Sequence, residues 1–377
     1  MVTTALKFMR YDKPKSIGII VGIVISIFLI GQQLGTLRFL TGLMGGLIEN
    51  SNAPENAIWI IDDVSGNVNA VGRIDSRIVQ EVKSIEGVEE SYGIVITSGT
   101  VVFEGGKSSS VSLIGSDGPA FIAGPKASKI IEGDLNGLYH SNAVSAEFFD
   151  SKSFAVDLHV NQPLEINNKE AVISLLTKNV QGFGGYYMFT DLNNARFYGN
   201  FPNDKLSMVV VKVKEGVDSA ELARQINSAF YGVTAWEAEV LKSSTVSEIL
   251  TTSNMGVSFG SLIIFAMVSG FFIIGLTLYS SALDRLVDYG TLKAIGATNS
   301  FVSRLIFTQA LLFAFIGLGI ALLLLYLFKY GVANAGLVID MDIPLLLILL
   351  GITLFMSLGG SLFAVVKISK LEPASIF

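Results

Sequence analysis

Four stretches of this chain are too long and too apolar for the core of an ordinary soluble domain. Residues 17–37, 257–280, 305–328 and 343–366 contain no Asp, Glu, Lys, Arg or His. Each reaches the ~20 residues that cross ~30 Å of hydrocarbon at ~1.5 Å per residue. They read as membrane spans, and the composition agrees: 15% of residues are charged, against roughly 25% in soluble domains. The first run follows a basic leader, "LKFMRYDKPKS", and lacks a small-residue cleavage site, so it reads as a retained signal anchor.

Basic residues set the orientation. Lys7, Arg10, Lys13 and Lys15 precede the first span; Arg285, Lys293 and Arg304 lie between the second and third; Lys367 and Lys370 follow the fourth. The 329–342 loop carries only Lys329 against Asp340 and Asp342. Both termini and the 281–304 segment are therefore expected in the cytoplasm, with residues 45–244 and 329–342 outside.

Several function classes are disfavoured. There is no cysteine, hence no thiol nucleophile or disulfide framework. His140 and His159 are the only histidines and lack metal-site spacing. A net charge of −6 gives no footing for nucleic acid. Asp62, Asp63, Asp134 and Glu147 are scattered carboxylates without a nucleophile–base pair, so no enzyme is expected. Spans free of ionisable groups also argue against an ion or proton pathway. Gln32, Gln33, Thr277, Gln309 and Ser357 read as inter-helix hydrogen bonders. Gly18-xxx-Gly22 and Gly42-xxx-Gly46 have the spacing for close helix contact, either between two copies or within one.

The outside segment holds roughly 200 residues, enough for one or two domains. "NAIWIID" reads as a strand, and "IDSRIVQEVKSIEGV" as a helix with Ile74, Ile78, Val82 and Ile85 on one face. "SYGIVITSGTVVFEGG" and "SSVSLIGS" read as strands meeting near Gly105-Gly106. Towards the end, "LSMVVVKVK" is a strand, "VDSAELARQINSAFYGV" a helix opening on an Asp218–Glu221 capping box, and "TAWEAEV" another strand. One β-α-β unit used twice is implied. Between the halves, about 117–205, the chain is rich in Gly and Asn and reads as an inserted, mainly β subdomain; a single continuous α+β domain is the alternative. Thr245 and Glu248 form a second T-x-x-E box, from which an unbroken helix of ~35 residues is expected to run through 245–280 and project ~20 Å beyond the bilayer. The first span is expected to extend likewise, over 17–44.

Residues 281–304, "SALDRLVDYGTLKAIGATNSFVSR", carry five formal charges between two spans. Leu283, Leu286, Val287 and Gly290 share a stripe, Asp284, Arg285 and Asp288 lie beside it, Gly296 suits a C-cap, and Asn299 or Ser300 an N-cap for the next span. The pattern fits a short amphipathic helix, seated either in lipid headgroups or in a protein groove.

"DYGTLKAIGATNSFVSRLIFTQALLFAFIGLGIAL", from Asp288, resembles the signature of the FtsX/MacB-type ABC-transporter permeases, E-x-G-x-x-x-A-x-G-A followed by an apolar helix. Tyr289 to Gly296 also resembles the Y-x-T-L-K-A-x-G of the DevC-like subgroup, as do "QQLG" at 32–35, "TDLNNARFY" at 190–198 and the P-A-x-I-F ending from Pro373 to Phe377. Asp288 and Tyr289 depart from the Arg-Glu-Ile of many MacB-type proteins.

The resemblance implies four transmembrane helices and a large extracytoplasmic α/β domain, MacB-like and periplasmic, between helices 1 and 2. It implies an inner-membrane location and an ATPase-coupling helix comprising Leu286, Val287, Asp288, Tyr289, Gly290, Thr291, Leu292, Lys293, Ala294, Ile295 and Gly296. Leu286, Val287, Leu292 and Ile295 would enter an apolar groove of a cytoplasmic ABC ATPase. No G-x-x-x-x-G-K-[ST] loop is present in these residues, so ATP and Mg belong to that partner and no cofactor is expected on this chain. Residues 1–16 would lie on the membrane surface and brace the ATPase. The remaining implied partners are a second copy of the chain, a periplasmic adaptor and an outer-membrane duct, with an amphiphilic or lipid-like substrate. FtsX-like signalling to a cell-wall hydrolase and lipoprotein release are the alternatives.

Overall fold

The computed structural model describes residues 2–333 and 336–369. The chain opens with α1 (Val2–Tyr11), α2 (Lys13–Met44) and a short α3 (Gly46–Glu49). Strands β1 (Ile58–Asp62) and β2 (Ile74–Asp75), helix α4 (Ile78–Val82) and the hairpin of β3 (Val88–Phe103) with β4 (Ser108–Ser116) follow. Then come β5 (Ile130–Glu132), β6 (Ala143–Glu147), α5 (Asp150–Phe154), β7 (Pro163–Ile166), β8 (Lys169–Thr177), β9 (Tyr186–Thr190) and α6 (Leu192–Gly199). β10 (Lys205–Leu206), β11 (Met208–Val213), α7 (Ser219–Ala229), β12 (Val233–Glu237) and α8 (Ala238–Thr252) complete this half. Last are α9 (Met255–Asp284), α10 (Leu286–Ala294), α11 (Asn299–Ala333) and α12 (Ile343–Ser369). Two compact units result, a helical one (residues 2–38, 256–333 and 337–369) and a sheet unit (39–255 with 336).

In the sheet unit, β12, β1, β11 and β3 run side by side, antiparallel throughout. Side chains alternate across a strand, so β1 sends Ile58 and Ile60 to the core under α4 and α7, and Trp59 and Ile61 to the core of Leu47 and Leu241. β11 divides the same way, Val209 and Val211 against Met208 and Val210. Burial on both faces explains why "IWII" and "MVVV" show no polar alternation. Asp218 is the N-cap of α7 as expected, accepting from the Ala220 N–H at 3.0 Å, while Glu221 pairs with Arg224 instead of completing the box. The α4 helix is shorter than expected, because Ile74 pairs in β2 with β10, yet Ile74, Ile78 and Val82 still share one core.

The stretch 117–205 makes no sheet of its own. β7 pairs with the far end of β3, and β9 lies parallel to β4. β8 joins β7 to β6. Between β6 and β9 side-chain hydroxyls bridge the gap: Ser145 Oγ accepts from Phe189 N–H at 2.7 Å, and Thr190 Oγ1 donates to Ala143 O at 2.6 Å. The strands β3-β4-β9-β6-β8-β7 thus close on one another around Val101, Phe103, Leu113, Ile166, Ile173 and Met188. Closure removes exposed sheet edges. The 16-residue β3 is long because it serves both this ring and the antiparallel half.

Beside the ring, Asp150 is only 5% exposed and faces Glu147, whose carboxylate accepts from Thr177 Oγ1 (2.7 Å), Asn179 N–H (2.9 Å) and Val180 N–H (3.0 Å). Burial, reinforced by the Glu147 charge, pushes the Asp150 carboxyl up to about 8. A carboxyl with a raised pKa in the fold stabilises that fold while protonated, and the benefit drains away as pH climbs from its ordinary value of 3.8 to about 8. Asp150→Asn should therefore melt at a higher temperature than wild type at pH 8, the gap shrinking towards pH 4. Parallel melting curves for both proteins across that range check this.

The expected unbroken helix through 245–280 is interrupted. α8 ends at Thr252, and Asn254 takes a left-handed conformation (φ +55) before α9 begins. Asn tolerates that region better than most residues. Thr245 is no N-cap either. It lies inside α8, and its hydroxyl accepts from Val68 N–H at 3.0 Å. β12 likewise stops at Glu237, where the strand expected over "TAWEAEV" turns into α8.

Within the helical unit, α2, α9, α11 and α12 are each long and apolar enough to cross a membrane. Their packing uses small residues at close approaches. A Cβ on Gly22 would lie 2.5 Å from Ile273 Cγ2, and one on Gly317 2.5 Å from Ile23 Cγ2. α9 also crosses α12 closely. A Cβ on Gly360 would lie 3.0 Å from Gly275 N and 3.1 Å from Phe271 O, so backbone touches backbone. Arg38 forms a two-pronged ion pair with Asp342, Nη2 to Oδ2 at 2.7 Å.

Candidate functional site

Residues 281–304 form a short helix held at one end of the helical unit. α9 stops at Asp284, where Lys15 of α2 forms an ion pair with the carboxylate and donates to Ser280 Oγ at 3.1 Å. Arg285 leaves helical geometry (φ −110, ψ 21), and α10 starts beyond it. Asp288 in its first turn and Lys293 in its last suit the helix dipole.

α10 is fastened by three side chains. Tyr289 is 2% exposed and hydrogen-bonds Gln309 of α11; burial pushes its hydroxyl up to about 12. Leu292 packs on the helical core. Lys293 Nζ donates to Ile368 O at 2.8 Å, tying α10 to the last turn of α12. Ser16, Ser281, Arg285, Tyr289 and Gln309 give polar lining to a cavity of about 20 Å³ at this junction, and the Arg285 guanidinium sits 5.2 Å from the Tyr11 ring centre.

The exit from α10 is a Schellman turn. Ala297 N–H donates to Leu292 O (2.9 Å) and Gly296 N–H to Lys293 O (3.0 Å), with Gly296 at φ +103. That backbone strains any residue with a Cβ. The next N-cap is Thr298, not Asn299 or Ser300: its Oγ1 accepts from Phe301 N–H at 3.3 Å.

The expected outward row of Leu286, Val287, Leu292 and Ile295 therefore splits. Leu292 points inward and Leu286 is half-buried, whereas Val287 (58%) and Ile295 (77%) are exposed. Asp288, Thr291 and Ala294 stand exposed with them, while Tyr289 and Gly290 are buried. The free surface of α10 is a small apolar strip of Val287, Thr291, Ala294 and Ile295 with one acid beside it. Sequence reasoning missed the ties through Lys15 and Lys293, since nothing in a chain pattern relates residues so far apart. Gln309 was legible, as a polar group inside an apolar run that bonds across helices.

The four motif glycines differ. Gly22 meets Ile273, and a Cβ on Gly46 would lie 2.6 Å from Gln181 O, both contacts within one chain. Gly18 and Gly42 have nothing within 4 Å. Among the described residues no group of three or more His, Cys, Asp or Glu is placed to hold a metal ion. Pro373 to Phe377 lies outside the described residues.

Residues 260–373 match the FtsX-like permease C-terminal family. The FtsX-like segment thus takes in nearly all of α9, the whole of α10 and α11, and α12. No curated protein sequence matches the chain. Among solved structures, the periplasmic region of MacB from Actinobacillus actinomycetemcomitans is similar at 12% identity and a TM-score of 0.39, over 51% of this chain and 94% of that one. The extracellular domain of the noncanonic ABC-type transporter YknZ from Gram-positive bacteria is similar at 14% identity and a TM-score of 0.34, over 48% and 99%.

Proposed function

We propose that this chain is the membrane-spanning permease subunit of a MacB/DevC-type ABC export complex, with α10 as the helix that receives the push of a separate cytoplasmic ATPase. The observation that carries the reading is the build of α10 within the FtsX-like segment. A nine-residue helix is pinned by Tyr289, Leu292 and Lys293 and leaves Val287 and Ile295 uncovered. A helix lying passively on lipid has no need of such fastening. One that transmits force does, because a load on the exposed strip must pass into α9, α11 and α12 without α10 swinging free.

In this reading α10 enters an apolar groove of the ATPase, while Asp288 sets register at the rim. ATP and Mg are handled by the partner. Two copies of the chain pair with two ATPase subunits in the inner membrane, both termini cytoplasmic. Motion then passes along the chain into the sheet unit, through α2 and through α9 and α8, and expels an amphiphilic or lipid-like substrate towards a periplasmic adaptor and outer-membrane duct.

Cross-linking tests this cleanly, because the chain has no cysteine of its own. Ile295→Cys should cross-link to the partner ATPase, with yield that changes between nucleotide-free and ATP-trapped states; Gly351→Cys, on α12, should not. Equal yields at the two positions would count against docking through α10.

A further inference from the structure

The molecule has a second distinctive surface, at the junction of α1 and α2. An open groove of about 400 Å³ runs there with an apolar floor that includes Leu6, Ile17 and Ile20, and with Arg10 and Lys13 at its rim. Leu6 and Ile17 are exposed. Below the groove the same side of α2 stays uncovered, with Ile17, Val21, Ile25 and Leu29 exposed at helical spacing and nothing within 4 Å of a Cβ on Gly18. Among the described residues, no carboxylate lies within ion-pair distance of Arg10 or Lys13, whereas Lys15 close by is taken by Asp284. Asp12, the one acid of this stretch, accepts instead from Lys15 N–H at 3.4 Å.

We infer that this groove is a binding site for an anionic phospholipid, its phosphate held between Arg10 and Lys13 and an acyl chain laid along Ile17, Val21 and Ile25. The inference rests on α2 crossing the membrane. Lys13 then stands ~6 Å before Ile17 along the helix axis, the depth of the headgroup layer beside ~30 Å of hydrocarbon. Two cations without partners at that depth call for more negative charge than a zwitterionic headgroup offers. The apolar strip beneath calls for a chain, which a free phosphate lacks. An acidic segment of the ATPase would satisfy the cations and leave the strip unused.

The probe is phosphatidylglycerol against phosphatidylcholine of identical chains, titrated onto the purified full-length protein in detergent and read by native mass spectrometry. Phosphatidylglycerol should bind at least tenfold more tightly. Each basic residue near an anionic headgroup is worth about fivefold, so R10Q/K13Q should lose roughly 25-fold for phosphatidylglycerol and little for phosphatidylcholine. Lys7→Gln, exposed on α1 and outside the groove, should behave as wild type. Glycerophosphoglycerol at millimolar concentration should not compete. No preference for phosphatidylglycerol, or a preference that survives in R10Q/K13Q, overturns the site. So does competition by the chainless headgroup, which would mark a plain phosphate site. Loss of ATPase capture in R10Q/K13Q with lipid binding intact would reassign the groove to the partner. Failure of the permease reading shows separately, as absent cross-links from Ile295→Cys.

Discussion

Val287→Asp combined with Ile295→Asp should abolish capture of the partner ATPase, lowering its affinity at least 100-fold, while the chain still inserts and stays monodisperse. Burying one such aliphatic side chain is worth about 1.5–3 kcal/mol. Losing two, and asking the groove to take up a charge at each place, exceeds the ~2.7 kcal/mol that a hundredfold requires. The fold is spared because both side chains are already exposed, at 58% and 77%. Leu292→Asp is the instructive contrast. It puts a carboxylate against the helical core and should lower expression and melting temperature before any question of docking arises. Affinity is read by titrating the labelled ATPase onto the permease in nanodiscs. Binding within twofold of wild type in the double variant would end the case for α10 as the docking helix.

That contrast also shows how far the sequence could be read. Hydropathy alone located the four long helices, because no other fold element needs ~20 apolar residues in a row. The capping motif at Asp218 and the twin β-α-β pattern were equally local signals, and both appear in the sheet unit. What misled was a motif whose residues serve two masters. Thr245 and Glu248 read as a helix start, but the Thr245 hydroxyl answers the Val68 N–H, 177 residues away. Asn254 stops that helix in a left-handed conformation, with no proline there to mark the break. Leu292 and Val287 are both apolar positions on a nine-residue helix, too short for period alone to tell the buried side from the exposed one. The ring closed by Ser145 and Thr190 joins strands over 40 residues apart through side chains, and no propensity records that.

Gly360→Leu should lower the melting temperature in detergent by roughly 5–10 °C and reduce ATPase stimulation along with it. At Gly360 a new Cβ lands 3.0 Å from Gly275 N and 3.1 Å from Phe271 O, backbone atoms that no rotamer change can move aside. Helices α9 and α12 must part instead, and overpacking of this kind costs about 1–3 kcal/mol, with the lost contacts of their closest crossing added. Gly351→Leu is the matched control on the same helix, since nothing lies within 4 Å of its Cβ and leucine favours helix over glycine. The effect on stimulation follows from the fastening of α10, which continues from the end of α9 and is tied by Lys293 to the end of α12. A wedge between those two helices pulls apart the two anchors of α10, so the strip of Val287 and Ile295 no longer presents as a rigid unit. Should Gly360→Leu melt and stimulate like Gly351→Leu, the two helices do not need their close approach, and α10 is not braced by it.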